Sequence, residues 1–383
     1  MSTLDVRQKI QLLGESAQYD ICVTCGTHAS RQADDLGRWI YPAVLPDGKR
    51  VALLKVLQSN ACRNDCHYCA QRVGRDTRRT AFTPDELAAT FDEMVRRGLV
   101  SGLFLSSAVS GSPMASMDRT LATVELVRKR YRFTGYIHLK ILPGVSMAHV
   151  EQAVRLATRV SVNLEAPTPQ HLQRIAPDKA FEELVKPMTW ARDLIKGSGG
   201  ALASGGQTTQ FVVGAAGESD QDILSVTSRL YRDVNLRRAY FSAFQPVAGT
   251  PLEGVPSTPP LREHRLYQSD FLMRQYGFRF QDLVFDGDGN LPSEADPKQI
   301  WAEHHPEQFP LEVNRAGREE LLRVPGIGPE SATRIANLRN RGTFHTLKDL
   351  ERIGVVAERA APYILLDGKR PPYQLRLWER HDR

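Results

Sequence analysis

Apolar runs alternate with amphipathic stretches over the first two thirds of this 383-residue chain. The runs are six to nine residues long, a length typical of buried strands, and the stretches between them have helical spacing. The runs lie at residues 51–57, 99–107, 135–142, 160–166, 210–215 and 238–244. Nearly continuous apolar strands that alternate with helices predict a parallel sheet covered by helices.

Six such units favour an α/β fold of the partial (β/α)6 barrel type, similar to a TIM barrel with fewer units. A doubly wound sheet is the alternative. The barrel is favoured because polar and cysteine side chains recur where several runs end, and barrel enzymes place their chemistry at the carboxyl ends of strands. Thr83, followed by Pro84 and two acids, is a typical helix start.

Composition divides the chain into five segments, because Pro and Gly become frequent after about residue 245. We predict a lead-in at 1–49, the partial barrel at 50–280, a linker at 281–310, a small all-α module at 311–370 and a tail at 371–383. The net charge of +6 is compatible with a polyanionic partner. No apolar run has the roughly 18 residues of a membrane span, and the N-terminus has no apolar leader. The sequence therefore predicts a cytoplasmic protein without a membrane partner.

A three-cysteine motif follows the first apolar run directly. Cys62, Cys66 and Cys69 have the spacing CxxxCxxC. Three thiolates on one loop are able to bind three irons of a [4Fe–4S] cubane and to leave the fourth iron open. An iron without a protein ligand is open to a small molecule that chelates it. Zinc prefers four ligands, usually in paired CxxC spacing, so a zinc site and three incidental thiols are the less favoured readings.

With this motif, residues 50–280 resemble the radical S-adenosylmethionine (radical SAM) superfamily. The resemblance implies reductive cleavage of S-adenosylmethionine to a 5′-deoxyadenosyl radical, and an electron donor as a partner. It also implies cofactor contacts, most of them at strand ends, with strand capping or packing as the alternative role of these residues. The candidate contacts are Tyr68, Ser106, Ser107, Asn163, Glu165 and Gly214.

Two other groups of residues each allow two interpretations: a second pair of cysteines with a histidine, and a run of arginines. Cys22, Cys25 and His28 have three of the ligands that a second metal would need, but two free thiols are the favoured reading. Four arginines follow the cluster motif, and they would either face a polyanion at the barrel mouth or lie in a solvated loop. These arginines are Arg72, Arg75, Arg78 and Arg79.

The terminal module contains Val-Pro-Gly-Ile-Gly-Pro at residues 324–329, between two helical stretches. This pattern resembles a helix-hairpin-helix, whose backbone N–H groups bind phosphate without reading bases. The resemblance predicts nucleic-acid contacts at Gly326, Ile327, Gly328 and Arg334. A second, degenerate copy surrounds Gly354, and residues 311–383 carry 14 Lys and Arg against 10 Asp and Glu. A hairpin used only for packing or protein contact is the alternative.

The whole chain resembles one family of DNA modification or repair radical SAM proteins that occurs alongside a uracil-DNA-glycosylase-like protein. The matching stretches include GLFLSSAVS, GYIHLKILPG, SVNLEAPT, IAPDK and LLRVPGIG. The resemblance implies a DNA substrate whose target nucleotide is flipped into the barrel mouth. An RNA-modifying radical SAM enzyme and a non-catalytic iron–sulfur protein that binds nucleic acid are the alternatives.

Overall fold

The computed structural model describes residues 4–17, 40–44 and 50–373. The backbone divides into two compact units, unit 1 at Met1–Glu263 and unit 2 at His264–Arg383. This division lies before residue 280, where the sequence predicts the end of the barrel. The predicted linker at 281–310 contains a helix and belongs to unit 2, and the predicted lead-in contains a helix and a strand.

Unit 1 is built on a seven-stranded sheet whose strand order follows the sequence. The strands are β1 (Ile40–Val44), β2 (Arg50–Leu57), β3 (Gly102–Ser106), β4 (Tyr136–Lys140), β5 (Arg159–Ser161), β6 (Gln207–Val213) and β7 (Leu236–Ala243). Strands β2 to β7 are parallel, which confirms the partial barrel. Strand β1 pairs antiparallel with β2 and was not predicted. Its Pro42 obscures the strand pattern, since proline is tolerated only in edge strands.

Helices follow the parallel strands as the alternation predicts. Those that begin in unit 1 are α1 (Val6–Ala17), α2 (Pro84–Arg96), α3 (Pro113–Lys129), α4 (Met147–Leu156), α5 (Pro169–Ile175), α6 (Phe181–Gly197), α7 (Asp220–Asp233) and α8 (Pro260–Gln275). The helix start at Thr83 is confirmed, because Thr83 Oγ1 accepts the Glu86 N–H at 3.2 Å and Glu86 Oε2 accepts the Thr83 N–H at 2.8 Å. Among the described helices, none combines the length and apolarity needed to cross a membrane.

The two faces of the parallel sheet differ in polarity. Leu54, Leu103 and Ile137 stand in register on adjacent strands, share one face and are completely buried. The opposite face includes Lys140 on β4 and Gln210 on β6, which line a cavity. The apolar face therefore supplies the core, and the polar face is free to form a site.

Unit 2 is mainly helical after the end of α8. Its elements are α9 (Pro297–His304), β8 (Leu311–Glu312), α10 (Arg318–Leu321), α11 (Pro329–Leu338), α12 (Leu347–Glu351), α13 (Ala357–Ala360) and β9 (Ile364–Leu365). Apolar side chains of both predicted hairpins, among them Val324, Ile327, Leu350 and Val355, share one buried cluster. The two copies of the motif thus form a single core.

Candidate functional sites

The cluster loop, residues 58–82, joins β2 to α2 and carries the three predicted cluster ligands. These are Cys62, Cys66 and Cys69, and none of them forms a disulfide. Backbone bonds fix the loop from outside: the His67 N–H donates to the Ile175 carbonyl at 2.8 Å, and the Asp65 N–H donates to Asp178 Oδ2 at 2.6 Å. The three thiols therefore lie on a loop that is anchored to the end of α5 and the turn after it.

Arg79 stabilises the same loop from inside. Its guanidinium donates to four backbone carbonyls at 2.6 to 3.1 Å, those of Asn60, Gln71, Arg72 and Arg75. Arg72 in turn pairs with Asp65, with 2.7 Å between Nε and Oδ1. Arg75 also donates to the Ala70 carbonyl, at 3.1 Å, so three of the four arginines that follow the motif act within the loop. Neither the polyanion reading nor the solvated-loop reading describes these three.

A cavity of about 450 Å³ opens at the carboxyl ends of the parallel strands. This volume is in the range that holds a small-molecule cofactor. Of the nine predicted cluster and cofactor residues, eight line it: Cys62, Cys66, Tyr68, Cys69, Ser106, Ser107, Asn163 and Glu165. The structure therefore brings together, in one cavity, residues that are spread over a hundred positions of sequence.

Gly214 is not among the residues that line this cavity. Its φ is +88°, in the left-handed region, and a Cβ there would collide with Thr258 Oγ1. The carboxylate of Glu218 accepts the N–H groups of Gly214 and Ala216. The conformation of the turn therefore explains why residue 214 is a glycine. Its contact with a cofactor stays a prediction.

A buried ion pair, which the sequence did not predict, lies on the cavity wall. Lys179 Nζ is 2.9 Å from Glu165 Oε1, and the two side chains are 11% and 6% exposed. Burial alone would lower the pKa of Lys179, but its electrostatic interactions with Cys66 and Glu165 hold that pKa above its usual value. Burial, followed by the Glu165 charge and its hydrogen bond, raises the pKa of Tyr68. Glu165 also has a φ of +66°, a strained conformation of the kind found at functional sites.

The thiols themselves are held in an apolar setting. Burial raises the pKa of Cys66, and burial raises the pKa of Cys69 to about 12. Iron binding would therefore displace protons from these two groups. Among the residues that the structure describes, no three Cys, His, Asp or Glu side chains converge as a single ion would require. Cys22, Cys25 and His28 lie outside the described residues.

The second candidate site is the first hairpin, residues 324–328, between α10 and α11. Gly326 has a φ of +86°, and a Cβ there would collide with the Val356 carbonyl and lie 3.1 Å from the Ala360 nitrogen. Gly328 has an ordinary φ of −95°, and a Cβ on it would lie 3.5 Å from Tyr276 Oη, an ordinary van der Waals contact. The two glycines therefore have different roles, since Gly326 serves packing and Gly328 leaves space.

The first hairpin and its degenerate copy, the second hairpin at residues 352–356, differ in their free donors. Within the described part of the chain, the N–H of Gly328 has no acceptor. At the equivalent place in the second hairpin, the Val356 N–H donates to the Gly326 carbonyl at 3.0 Å. The second hairpin therefore uses this donor to support the first, whereas the equivalent donor of the first hairpin is not used within the protein.

The remaining predicted residues of the first hairpin are engaged with the protein. The Ile327 side chain is 1% exposed. Arg334 is exposed, but its guanidinium donates to the Ile353 carbonyl and to Glu330 Oε2, each at 3.0 Å. The predicted phosphate contact of Arg334 stays a prediction, and its visible role is to join α11 to the second hairpin.

Two family models match the chain. Residues 56–230 match the radical SAM superfamily, and residues 308–361 match the helix-hairpin-helix motif. The first match contains the cluster loop and strands β3 to β6 of the cavity wall, and the second contains both hairpins. Together with the strand order, these matches define the class: an α/β partial barrel of the radical SAM type, followed by a helix-hairpin-helix motif.

The chain is also similar to curated proteins. Biotin synthase of Heliobacterium modesticaldum is 26% identical over 207 residues, which cover 53% of this chain and 59% of the relative. A threonylcarbamoyladenosine tRNA methylthiotransferase of Thermotoga maritima is 24% identical over 232 residues, covering 58% and 51%. The chain thus spans about three fifths of the first of these relatives. Among solved structures, methylornithine synthase is 15% identical with a TM-score of 0.44, covering 55% of this chain and 59% of that one.

Residues 56–230 are similar to enzymes of the radical SAM superfamily, and this match implies a [4Fe–4S] cluster and S-adenosylmethionine as cofactors. The helix-hairpin-helix motif of the chain indicates nucleic-acid binding.

Proposed function

We propose that this enzyme abstracts a hydrogen atom from a nucleotide of DNA, as a step in the modification or repair of that DNA. Two family matches in one chain support the proposal, since one belongs to a radical generator and the other to a module that binds nucleic-acid backbones. The resemblance of the whole chain to DNA modification or repair proteins favours DNA. It also suggests a uracil-DNA-glycosylase-like protein as a partner.

In this proposal Cys62, Cys66 and Cys69 hold the cluster. The cluster and S-adenosylmethionine, when bound, supply a carbon radical that abstracts hydrogen. Arg79 and the backbone bonds of the cluster loop hold the three thiols in place while the cluster assembles. All three thiols line one cavity, so they would hold the cluster beside a cofactor bound in that cavity.

The cavity wall offers charges of both signs to S-adenosylmethionine, which is itself a zwitterion with an additional sulfonium charge. The Lys179 ammonium would bind its carboxylate, and the Asn163 amide and Glu165 carboxylate would bind its hydroxyl and amino groups. The Lys179–Glu165 pair is complete in the protein alone, so neither charge is left unpaired before the cofactor binds. Apolar side chains such as Val109, Ile141 and Val162 complete the wall and exclude water.

RNA is the second candidate substrate. One curated relative acts on tRNA by its name, and a backbone-reading hairpin does not by itself separate DNA from RNA. Competition for the full-length protein between a DNA duplex and an RNA duplex of the same sequence would separate the two candidates.

Isotope transfer tests the proposed reaction. The reconstituted, reduced enzyme is incubated with S-adenosylmethionine and uniformly deuterated DNA, and 5′-deoxyadenosine is analysed by mass spectrometry. We expect deuterium in the 5′-deoxyadenosine and a DNA nucleoside of altered mass. The Cys66→Ala variant, treated identically, should give neither. The same experiment is repeated with deuterated RNA. Deuterium transfer from RNA alone would make RNA, and not DNA, the substrate, and transfer from neither polymer would mean that the substrate is not a nucleic acid.

A further inference from the structure

A lysine is buried directly behind the first hairpin. Lys298, in the first turn of α9, is 7% exposed. Its Nζ donates to the Ile327 carbonyl at 2.6 Å and lies 4.6 Å from the centre of the Tyr276 ring. A lysine is rarely buried unless its ammonium has a partner. Here that partner is a backbone carbonyl of the hairpin and not a carboxylate.

The carbonyl that Lys298 binds belongs to the same peptide unit as the Gly328 N–H. In a trans peptide the C=O and N–H bonds point in opposite directions. An ammonium that holds the Ile327 carbonyl from inside the protein therefore points the Gly328 N–H outward. It also draws electron density toward the carbonyl oxygen, which makes the N–H a stronger donor.

Only in the first hairpin does the direction of this N–H group matter for binding a ligand. The Gly328 N–H has no acceptor within the described part of the chain, and a Cβ on Gly328 would have room. In the second hairpin the corresponding Val356 N–H already donates to the Gly326 carbonyl. The lysine thus lies behind a donor that has no acceptor among the described residues and is available for a ligand.

On the basis of the proposed nucleic-acid binding, we infer that Lys298 is a positioning residue for the phosphate site of the first hairpin, and that its protonated form aligns the Gly328 donor and strengthens phosphate binding. The inference extends the site beyond the helix-hairpin-helix match, because Lys298 precedes residues 308–361. It adds a charge that the sequence pattern of the hairpin does not contain.

Burial, modified by the surrounding charged groups, places the protonation of Lys298 in the neutral range. Burial lowers the pKa of Lys298 to about 7, Asp296 opposes this shift, and Arg359 and Arg323 add to it. Asp296 begins α9 and also pairs with Arg359, and the Tyr276 hydroxyl keeps its proton because burial raises its pKa. Raising the pH through 7 therefore removes the charge of Lys298. Because a bound phosphate favours the charged form, the affinity should fall over that interval.

The test measures binding of fluorescein-labelled duplex DNA to the full-length protein by anisotropy, from about pH 6 to pH 9. Lys298→Met removes the ammonium and keeps the apolar stem, and Lys298→Arg keeps a charge throughout this range. Lys348→Met, at an exposed lysine of α12, is the matched control for the loss of one charge. His304 and His305, which lie near the end of the same helix, are present in every variant.

We expect the wild-type affinity to fall roughly three- to tenfold as the pH rises through 7, an effect typical of a charge at a helix terminus. At pH 6, Lys298→Met should bind duplex DNA roughly three- to tenfold more weakly than the wild type. Its affinity should not show the fall near pH 7 that we expect for the wild type. Lys298→Arg should lose only the pH dependence, and Lys348→Met should keep it.

The outcomes separate the two proposals. If the wild type binds no duplex at any pH, nucleic-acid binding by this module fails, and the role of Lys298 fails with it. If the wild type binds and Lys298→Met has the same affinity and the same pH profile, the role of Lys298 alone is wrong. Should Lys298→Met not fold, the comparison of wild type with Lys298→Arg decides, because a wild-type profile in the arginine variant contradicts the inference.

Discussion

The cavity of unit 1 and the first hairpin of unit 2 present different parts of the polypeptide to their ligands. The cavity is lined by side chains with distinct chemistry, such as thiols, an ammonium and a carboxylate. The hairpin presents backbone N–H groups, and its side chains face inward or bind to the protein itself. A substitution in the cavity should therefore remove a chemical group and leave the fold intact, whereas a substitution in the hairpin acts through the fold.

The largest effect is expected from Cys66→Ala. Two thiols on the cluster loop cannot replace three, so the variant should lose the cluster and all cleavage of S-adenosylmethionine. Iron and sulfide per chain and the yield of 5′-deoxyadenosine after reduction measure the two losses. Thermal unfolding of the protein without iron should change little, because the loop is held by Arg79 and by backbone bonds.

Cys22→Ala and Cys25→Ala are the matched controls for that variant, since they are the only other cysteines of the chain. If they hold no metal, both variants should keep the full iron content and full cleavage. Cleavage that persists in Cys66→Ala would contradict the assignment of the cluster ligands. Iron lost from the Cys22 and Cys25 variants would restore the second metal site that the sequence left open.

The alternation of apolar runs and helical stretches in the sequence predicted the barrel, because a parallel strand that is buried on both faces is a nearly continuous apolar run. The carboxyl ends of such strands meet at one edge, so the sequence alone was sufficient to place Ser106 and Asn163 together. Lys179 could not be placed in this way. It lies in a loop after α5, where no periodicity indicates which way a side chain points, and only the folded chain brings it to Glu165.

A smaller effect is expected from the two members of that ion pair. Glu165→Gln and Lys179→Met each remove one charge from the cavity wall. Each should weaken S-adenosylmethionine binding by roughly ten- to a hundredfold, the loss of a hydrogen bond to a charged group. Calorimetry measures the affinity, and the iron content should stay at the wild-type level. Asn163→Ala should act in the same direction.

Lys186→Met is the control for this pair of variants, because Lys186 is an exposed lysine of α6 and does not line the cavity. It should bind the cofactor as the wild type does. Unchanged affinity in both Glu165→Gln and Lys179→Met would mean that the pair only stabilises the loop after α5. In that case the pair would not contact the cofactor.

The sequence motif of the hairpin treats Gly326 and Gly328 as equivalent, and the structure separates them. The motif predicts that both glycines face phosphate. Gly326 instead packs against the backbone of the second hairpin with a φ of +86°, and that contact joins residues 30 positions apart. Spacing alone cannot reveal such a contact, because it depends on how the two copies pack. The comparison of cavity and hairpin is therefore tested best by changing these two glycines separately.

The smallest effects should come from these glycines, and they should differ in kind. Gly326→Ala adds a Cβ against the Val356 carbonyl in a left-handed conformation, so unit 2 should lose about 1 to 3 kcal/mol of stability. Gly328→Ala has room and an ordinary φ, so its thermal unfolding should match the wild type. Its methyl group stands beside the outward donor, and duplex DNA should bind several-fold more weakly, by an equal factor for unrelated sequences. Anisotropy with two duplexes and thermal unfolding of both variants measure this difference.

If Gly328→Ala unfolds as easily as Gly326→Ala, the hairpin needs both glycines for packing. If Gly328→Ala binds DNA as the wild type does, the outward N–H is not the phosphate contact, and another surface of unit 2 must hold the nucleic acid.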